Sequence, residues 1–133
     1  EVRRVARPQA LFCAFVYDLP RGDDRLEAEL LQPLRAVLDP FWAEGNRLAM
    51  RGYPPAEVAF PFEPVTPPPF ELEHRWSIER LLAFAHTWSA HVRAHDEGEG
   101  ETLHRLEERA RETFGPQVLE ISQPLYLLAG RIA

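Results

Sequence analysis

Five histidines are the most recognisable chemical groups of this chain, and two of them have a spacing that can bind a metal. His91 and His95 stand four residues apart, so on one helix their rings share a face, as a zinc-binding pair requires. The pair lacks the glutamate of the HExxH pattern, and His86 or Asp96 would have to complete the ligand set. Exposed helix histidines are the simpler interpretation, and the sequence therefore predicts no metal site.

Candidate nucleophiles and acid–base pairs are scarce. Cys13 lies inside an apolar run, which is typical of a buried, reduced thiol, and a single cysteine cannot form an internal disulfide. Ser89 has no acidic partner that the sequence places nearby, and no GxSxG, P-loop or GxGxxG motif occurs. Glu71 and Glu73 share one face of a predicted strand, where paired carboxylates usually face water. We predict no catalytic side chain.

Aromatic residues give a more suggestive pattern. Tyr17 ends an apolar run, and Trp42, Trp76 and Trp88 lie on segments that we expect to cover the same edge of a sheet. A concave surface lined by aromatic rings and a few polar groups is the usual small-ligand pocket. The same tryptophans could equally fill the core of a covering segment, and the sequence leaves both interpretations open.

A helix over residues 76–96 must position many of these groups. Ser77 can cap its first turn, and Glu79 places negative charge near its positive end. Its apolar residues recur at helical spacing and form one stripe, consisting of Ile78, Leu81, Leu82, Ala85, Trp88 and Val92. The pattern predicts one helix of about 18 residues.

The N-terminal part of the chain has the pattern of a parallel α/β sheet. Residues 1–6 resemble the end of a helix, so we expect a further segment upstream. Residues 10–17 form a nearly continuous apolar run, which predicts a strand buried on both faces. The loop at residues 18–22 follows this strand, at the edge where open α/β sheets place their ligands.

The middle of the chain is helical and then rich in proline. Asp23 or Asp24 can cap a helix that Pro33 kinks or splits, with an apolar stripe of Leu26, Leu30, Leu31, Leu34 and Leu38. Asp39 and Pro40 begin a second helix, as cap and first residue, which ends at Gly52. The proline content of residues 53–69 predicts an extended segment that covers the body of the protein. It would be docked there through Val58, Phe60, Phe62 and Val65.

The remaining elements are a strand, a helix and a final strand. Apolar and polar residues alternate over Phe70–Trp76, which predicts a half-exposed strand. Residues 102–114 predict a helix that ends at Gly115 and buries Leu103, Leu106, Ala110 and Phe114. Pro124 separates residues 118–122 from a strand at residues 125–132.

Length and charge limit the class of protein. The 133 residues suit a single domain, and the net charge is -6, with every basic residue an arginine. Without a basic stripe, the chain is not expected to bind nucleic acid. No apolar run is long enough for a membrane span and no secretory signal is visible, so we expect a cytoplasmic protein.

Several segments resemble the class I S-adenosylmethionine-dependent methyltransferases. Residues 3–8 and the strand ending in Tyr17 are similar to the "helix, Lys-Pro-Gly-Gly, fifth strand" segment of that family, with Gln9 and Ala10 in place of the two glycines. The letters FW at 41–42, FPFE at 60–63, WSIE at 76–79 and TWSA at 87–90 resemble the C-terminal half of the trans-aconitate methyltransferase-like group.

This resemblance implies an α/β fold, the C-terminal part of a Rossmann-like sheet. Leu11–Tyr17 would be its fifth strand, Phe70–Trp76 the sixth, and residues 125–132 an antiparallel seventh strand between them. Residues 23–69 would form a lid-like helical and Pro-rich insertion within a single domain at 1–133. The loops that bind the cofactor precede the fifth strand in this family, so the cofactor-binding half would be absent from this chain.

The resemblance also implies an activity. It would be methyl transfer from S-adenosylmethionine to a small-molecule carboxylate or hydroxyl, with Tyr17, Trp42, Trp88 and Ser89 facing the acceptor. The chain alone would be inactive. A stand-alone small-ligand-binding module or a dimerisation module is the alternative. Because the Leu11–Tyr17 strand would leave an unprotected apolar edge, we predict a homodimer through it.

Overall fold

A computed structural model describes all 133 residues of the chain. The elements are α1 (Val2–Val5), β1 (Leu11–Tyr17), α2 (Asp24–Leu26), α3 (Gln32–Leu38), α4 (Glu44–Met50), β2 (Glu63–Val65), β3 (Phe70–Trp76), α5 (Ile78–Ala85), α6 (Ser89–Ala94), α7 (Gly100–Phe114) and β4 (Leu119–Arg131). A π-helical turn at Glu27–Leu31 joins α2 to α3, and a 3₁₀ turn follows α3 at Asp39–Phe41. Residues His95–Glu99 join α6 to α7 through a kink at Gly98, whose φ is 105°. None of the helices combines the length and the apolar character that a membrane crossing needs.

The four strands form one sheet organised around β4. β1 pairs antiparallel with β4 from Leu11↔Arg131 to Tyr17↔Leu125, and β2 pairs antiparallel with β4 at Glu63↔Arg131. β3 also pairs with β4. The last strand therefore pairs with both β1 and β3, which is the arrangement that the resemblance predicted for residues 125–132, Leu11–Tyr17 and Phe70–Trp76.

The chain divides into two compact units. Unit 1 consists of Glu1–Leu19, Gly45–Leu72 and Gln123–Ala133, and unit 2 consists of Pro20–Glu44 and Glu73–Ser122. Strands β3 and β4 contribute residues to both. The segment at residues 23–69, which the resemblance grouped as one lid-like insertion, is divided between the units after Glu44.

Strand β1 is not buried on both faces, and this prediction was wrong. Exposed and half-buried residues alternate along it, with Phe15 70% and Tyr17 51% exposed. β1 stands at the end of the sheet order, so β4 is its only strand neighbour and its other edge is unpaired. The alternation shows in addition that one face of β1 is open. Cys13 lies on that open face and is exposed, which corrects the expectation of a buried thiol.

Pro124 does not separate two segments, because β4 runs without interruption through it. The carbonyl of Pro124 accepts a hydrogen bond from the Asp18 amide at 2.8 Å, and the Gln123 side chain donates to the Asp18 carbonyl at 2.9 Å. These bonds join β4 to the residue that follows β1. Proline is tolerated in a strand where its missing N–H is not needed for the ladder.

Unit 1 contains a small aromatic core beside the sheet. The rings of Phe60 and Phe62 meet edge to face at 5.4 Å, and Phe12 of β1 lies 5.2 Å from Phe62. Gly130 of β4 has to be a glycine, because a Cβ there would lie 2.6 Å from the Phe60 ring. The proline-rich segment is therefore docked through Phe60 and Phe62, as the sequence predicted.

The leucine stripe of the first long helical segment is buried in unit 2, as predicted. Asp23 caps α2 by accepting the Leu26 amide at 2.8 Å. The segment does not continue as a plain α-helix, since a π-helical turn at Glu27–Leu31 precedes Pro33. Proline lacks an amide and crowds the carbonyl four residues earlier, which favours such an adjustment.

Two predicted helix boundaries in unit 2 were wrong. Asp39 is the first residue of the 3₁₀ turn, where Leu38 takes the cap position, and Trp42 is extended, so the second helix begins only at Glu44. Residues 76–96 are also not one helix. α5 ends at Ala85, Trp88 is extended, and α6 begins at Ser89.

The break between α5 and α6 has a local cause. The Thr87 hydroxyl donates to the Phe84 carbonyl at 2.6 Å, and the Thr87 and Trp88 amides close short turns on Phe84 and Ala85. Threonine side chains compete for helix carbonyls in this way. The apolar stripe is consequently buried only in α5, whereas Val92 in α6 is 51% exposed.

Candidate functional site

Two of the four predicted acceptor-binding residues meet in a row of aromatic rings in unit 2. The Trp42 and Trp88 rings lie 6.1 Å apart, and Trp88 meets Phe84 edge to face at 5.8 Å. Phe84 in turn contacts Trp76 at 5.3 Å. The tryptophans are half-buried and pack against the leucine-rich core, so their rings both support the fold and form part of its surface.

Extended residues place Trp42 and Trp88 in this row. Trp42 follows the 3₁₀ turn and Trp88 lies in the break before α6, so neither ring is held inside a helix. Ser89 follows Trp88 directly and its side chain is exposed. The acceptor-binding role that the resemblance implied for Ser89 stays a prediction.

Tyr17 belongs to unit 1, where it is the last residue of β1. Its neighbour Asp18 accepts a hydrogen bond from the Tyr126 hydroxyl at 3.0 Å. The grouping of Tyr17 with Trp42, Trp88 and Ser89 stays a prediction.

A second group of functional side chains lies in unit 2. Nε2 of His86 is 2.7 Å from Oε1 of Glu107, and Nε2 of His91 is 3.2 Å from the same oxygen. The two imidazole rings lie 4.5 Å apart. His91 and Glu107 are buried, whereas His86 is exposed. His95, which the sequence paired with His91, lies outside this group and is exposed beside Asp96.

The break between α5 and α6 explains why the sequence missed this group. Residues five apart on a continuous helix differ by about 140° around the axis, so a single helix would keep His86 and His91 on different faces. The break removes that restriction. Glu107 was missed because it continues the apolar face of α7. The only signal in the sequence was a glutamate at a position of that face, four residues before Arg111.

Burial controls the charge of His91. Loss of hydration lowers the pKa of His91 below its ordinary value, and the hydrogen bond with Glu107 opposes this change. His91 is therefore neutral near pH 7. A neutral imidazole can donate its Nε2–H to the carboxylate and can also ligate a metal once that proton moves to Nδ1.

Unit 1 has a cavity of its own. It has a volume of about 850 Å³ and lies between α1, β1 and the proline-rich segment, with a mainly apolar lining that includes Val2, Phe12, Phe15, Tyr53 and Phe62. Glu1 and Arg3 add one charged group of each sign, and the Arg3 guanidinium lies 5.7 Å from the Phe62 ring centre. The size and lining suit a small apolar ligand.

Comparison with solved structures finds a methyltransferase-like fold. The chain is similar to a protein from Anaeromyxobacter dehalogenans described as a proposed type II methyltransferase, with a TM-score of 0.84 and 30% identity over 98% of this chain. The chain spans 55% of the length of that protein. No family model matches the sequence. No curated protein matches it either.

Proposed function

We propose that this chain is the substrate-side part of an S-adenosylmethionine-dependent methyltransferase that acts on a small molecule. The main support for this proposal is the structural similarity of nearly the whole chain to about half of the Anaeromyxobacter protein. In this proposal β1, β3 and β4 are the fifth, sixth and seventh strands of the complete sheet. The helices from Asp24 and the Pro-rich segment form the lid.

The cofactor would be held by a part of the enzyme outside this chain. S-adenosylmethionine needs an open, glycine-lined turn after a strand, in the way that nucleotides do. Gly22 is the first glycine after β1, and it packs against Leu26, since a Cβ there would lie 2.5 Å from Leu26 Cδ2. One packed glycine does not form such a turn, which supports a separate cofactor-binding part.

The aromatic row of Trp42 and Trp88, together with Ser89, is the proposed acceptor-binding surface, and Tyr17 is proposed to join it in the complete enzyme. The rings would bury the carbon skeleton of a small carboxylic acid or alcohol. The Ser89 hydroxyl would donate a hydrogen bond to its oxygen. Methyl transfer between two bound molecules depends mainly on their alignment, so no nucleophilic side chain is required.

Tryptophan emission tests the acceptor surface. We expect citrate, succinate or trans-aconitate to change the emission saturably, because Trp42 and Trp88 would contact the ligand. Ser89→Ala should weaken binding about 10-fold, since a hydrogen bond to a charged group is lost. Thr102→Ala removes an exposed hydroxyl of α7 and should leave the affinity unchanged.

Two results would contradict this surface. If none of the acids changes the tryptophan emission, the acceptor does not bind at the aromatic row. Equal affinities of the Ser89→Ala and Thr102→Ala variants would show that Ser89 does not contact the ligand.

A stand-alone ligand-binding module is the second candidate, and the apolar cavity of unit 1 favours it. All three tryptophans belong to unit 2, whereas the cavity is lined by unit 1. A ligand of the cavity would therefore release or absorb heat in calorimetry without changing tryptophan emission. That outcome would favour the module over the methyltransferase.

A further inference from the structure

Three ligating atoms of His86, His91 and Glu107 converge at one point in unit 2, and the acceptor surface uses none of these side chains. Their ligating atoms all lie within 4.8 Å of one another. They come from the end of α5, from α6 and from α7, so three separate helices contribute one group each. The group is therefore a product of the fold, not of a single helix face.

The separations between these atoms are close to those of a tetrahedral zinc site. Zinc bonds of about 2.0–2.1 Å to nitrogen and oxygen place neighbouring ligand atoms about 3.3 Å apart. His91 Nε2 and Glu107 Oε1 already lie 3.2 Å apart, and His86 Nε2 lies 2.7 Å from the same oxygen. An outward movement of the His86 ring by about 0.6 Å would bring this separation to the tetrahedral value. The two imidazole ligand atoms lie within 4.8 Å of each other.

Two of the three side chains are buried and the third is partly exposed, which suits a metal site that is open to solvent on one side. The side chains of His91 and Glu107 are 11% and 9% exposed, which fixes their positions. The His86 side chain is 47% exposed, so it can move, and an ion can enter beside it. Solvent at this side would supply the fourth ligand.

The surroundings hold the carboxylate in place. The Arg111 guanidinium lies 3.8 Å from Oε2 of Glu107, which leaves Oε1 directed toward the two imidazoles. Arg111 is itself fixed by Glu79 at 2.9 Å and Glu108 at 2.7 Å. Such outer contacts orient metal-binding carboxylates in known sites.

We propose that His86, His91 and Glu107 bind one Zn²⁺ ion, with water in the fourth position. Two imidazoles and one carboxylate are a ligand set that zinc accepts. Mg²⁺ and Ca²⁺ prefer oxygen ligands and should not compete. On binding, each Nε2 lone pair goes to the ion, and each neutral ring carries its proton on Nδ1. The ion would link the α5–α6 break to α7.

Calorimetry with ZnCl₂ and the metal-free chain of 133 residues tests this site. We expect one Zn²⁺ per chain, no response to MgCl₂, and a rise in the unfolding temperature, because the ion binds only the folded state. His91→Ala and Glu107→Gln should each weaken binding at least about 100-fold, since they remove a direct ligand. His95→Ala and His104→Ala replace exposed histidines and should bind as the original chain does.

His86→Ala keeps the test decisive if the two buried variants fail to fold. His86 is exposed, so this variant should retain the helical circular dichroism while losing most of the affinity. Co²⁺ should also give the intense visible absorption of a four-coordinate ion, and His86→Ala should abolish it. Zinc binding that survives His86→Ala but is lost in His95→Ala would overturn the proposal. Absence of stoichiometric binding to the original chain would also overturn it, leaving a cluster held by hydrogen bonds alone.

Discussion

Glu107 is a carboxylate removed almost completely from water, and its neighbours explain how the fold tolerates it. Two imidazoles face one oxygen, and the Arg111 guanidinium lies near the other. An unpaired charge at this depth would cost several kcal/mol. No buried side-chain nitrogen or oxygen of the chain lacks a hydrogen-bond partner. The cluster therefore fixes α7 against the α5–α6 break even before an ion binds.

Burial of single apolar residues can be tested with a matched pair. Leu81→Ala should lower the free energy of unfolding by about 2–5 kcal/mol, because it leaves a cavity in the core of unit 2. Val92→Ala should change it by less than about 0.5 kcal/mol. Leu81 is 1% exposed and Val92 51%. Urea unfolding followed by circular dichroism gives both values. Equal decreases in the free energy of unfolding would contradict the assignment of Leu81 to the core and of Val92 to the surface.

At the scale of single residues, the sequence predicted burial well where helix periodicity applied. The five leucines of α2, the π-helical turn and α3 are all buried, because this helical segment has one face on the core. Cys13 and Val92 were misplaced, since an apolar residue looks the same in a core and on an open face. The meeting of His86, His91 and Glu107 depends on the path of the backbone, which periodicity does not describe.

At the scale of elements, the bounds of β1 and β3 were easier to predict than those of β2, β4 and the helices. β3 runs over Phe70–Trp76 as predicted, because its alternation is strong and the Ser77 hydroxyl caps the next helix by accepting the Arg80 amide at 3.3 Å. The break at Thr87 and Trp88 was missed because neither residue is a strong helix breaker. The Thr87 bond to a helix carbonyl becomes visible only in the structure.

At the scale of the whole molecule, the open face of β1 predicts self-association. Leu11, Phe15 and Tyr17 are all more than half exposed on an edge strand. Such an edge favours pairing with a second copy. We expect light scattering after size exclusion to give twice the 15.3 kDa mass of the chain.

Two charge substitutions test whether β1 forms this interface. Phe15→Glu should give a monomer, because a carboxylate on the paired face would be desolvated. Val92→Glu replaces another exposed apolar residue, in α6, and should remain a dimer. A monomeric original chain would contradict the prediction, as would a dimer that persists in Phe15→Glu.

The pairing of β4 with both β1 and β3 was predicted from the family resemblance, because apolar runs alone do not determine strand order. Exposure of β1 was not predicted, since an eight-residue apolar run is typical of a strand buried on both faces. The acceptor and the cofactor-binding part stay proposals.

Calorimetric titration of S-adenosylhomocysteine tests the central claim most directly. It should be performed with the chain of 133 residues and with the product of the complete reading frame that encodes it. The proposed division of the methyltransferase predicts no binding to the chain and saturable binding to the complete product. Saturable binding to the chain itself would contradict the proposal, as would the absence of binding to the complete product.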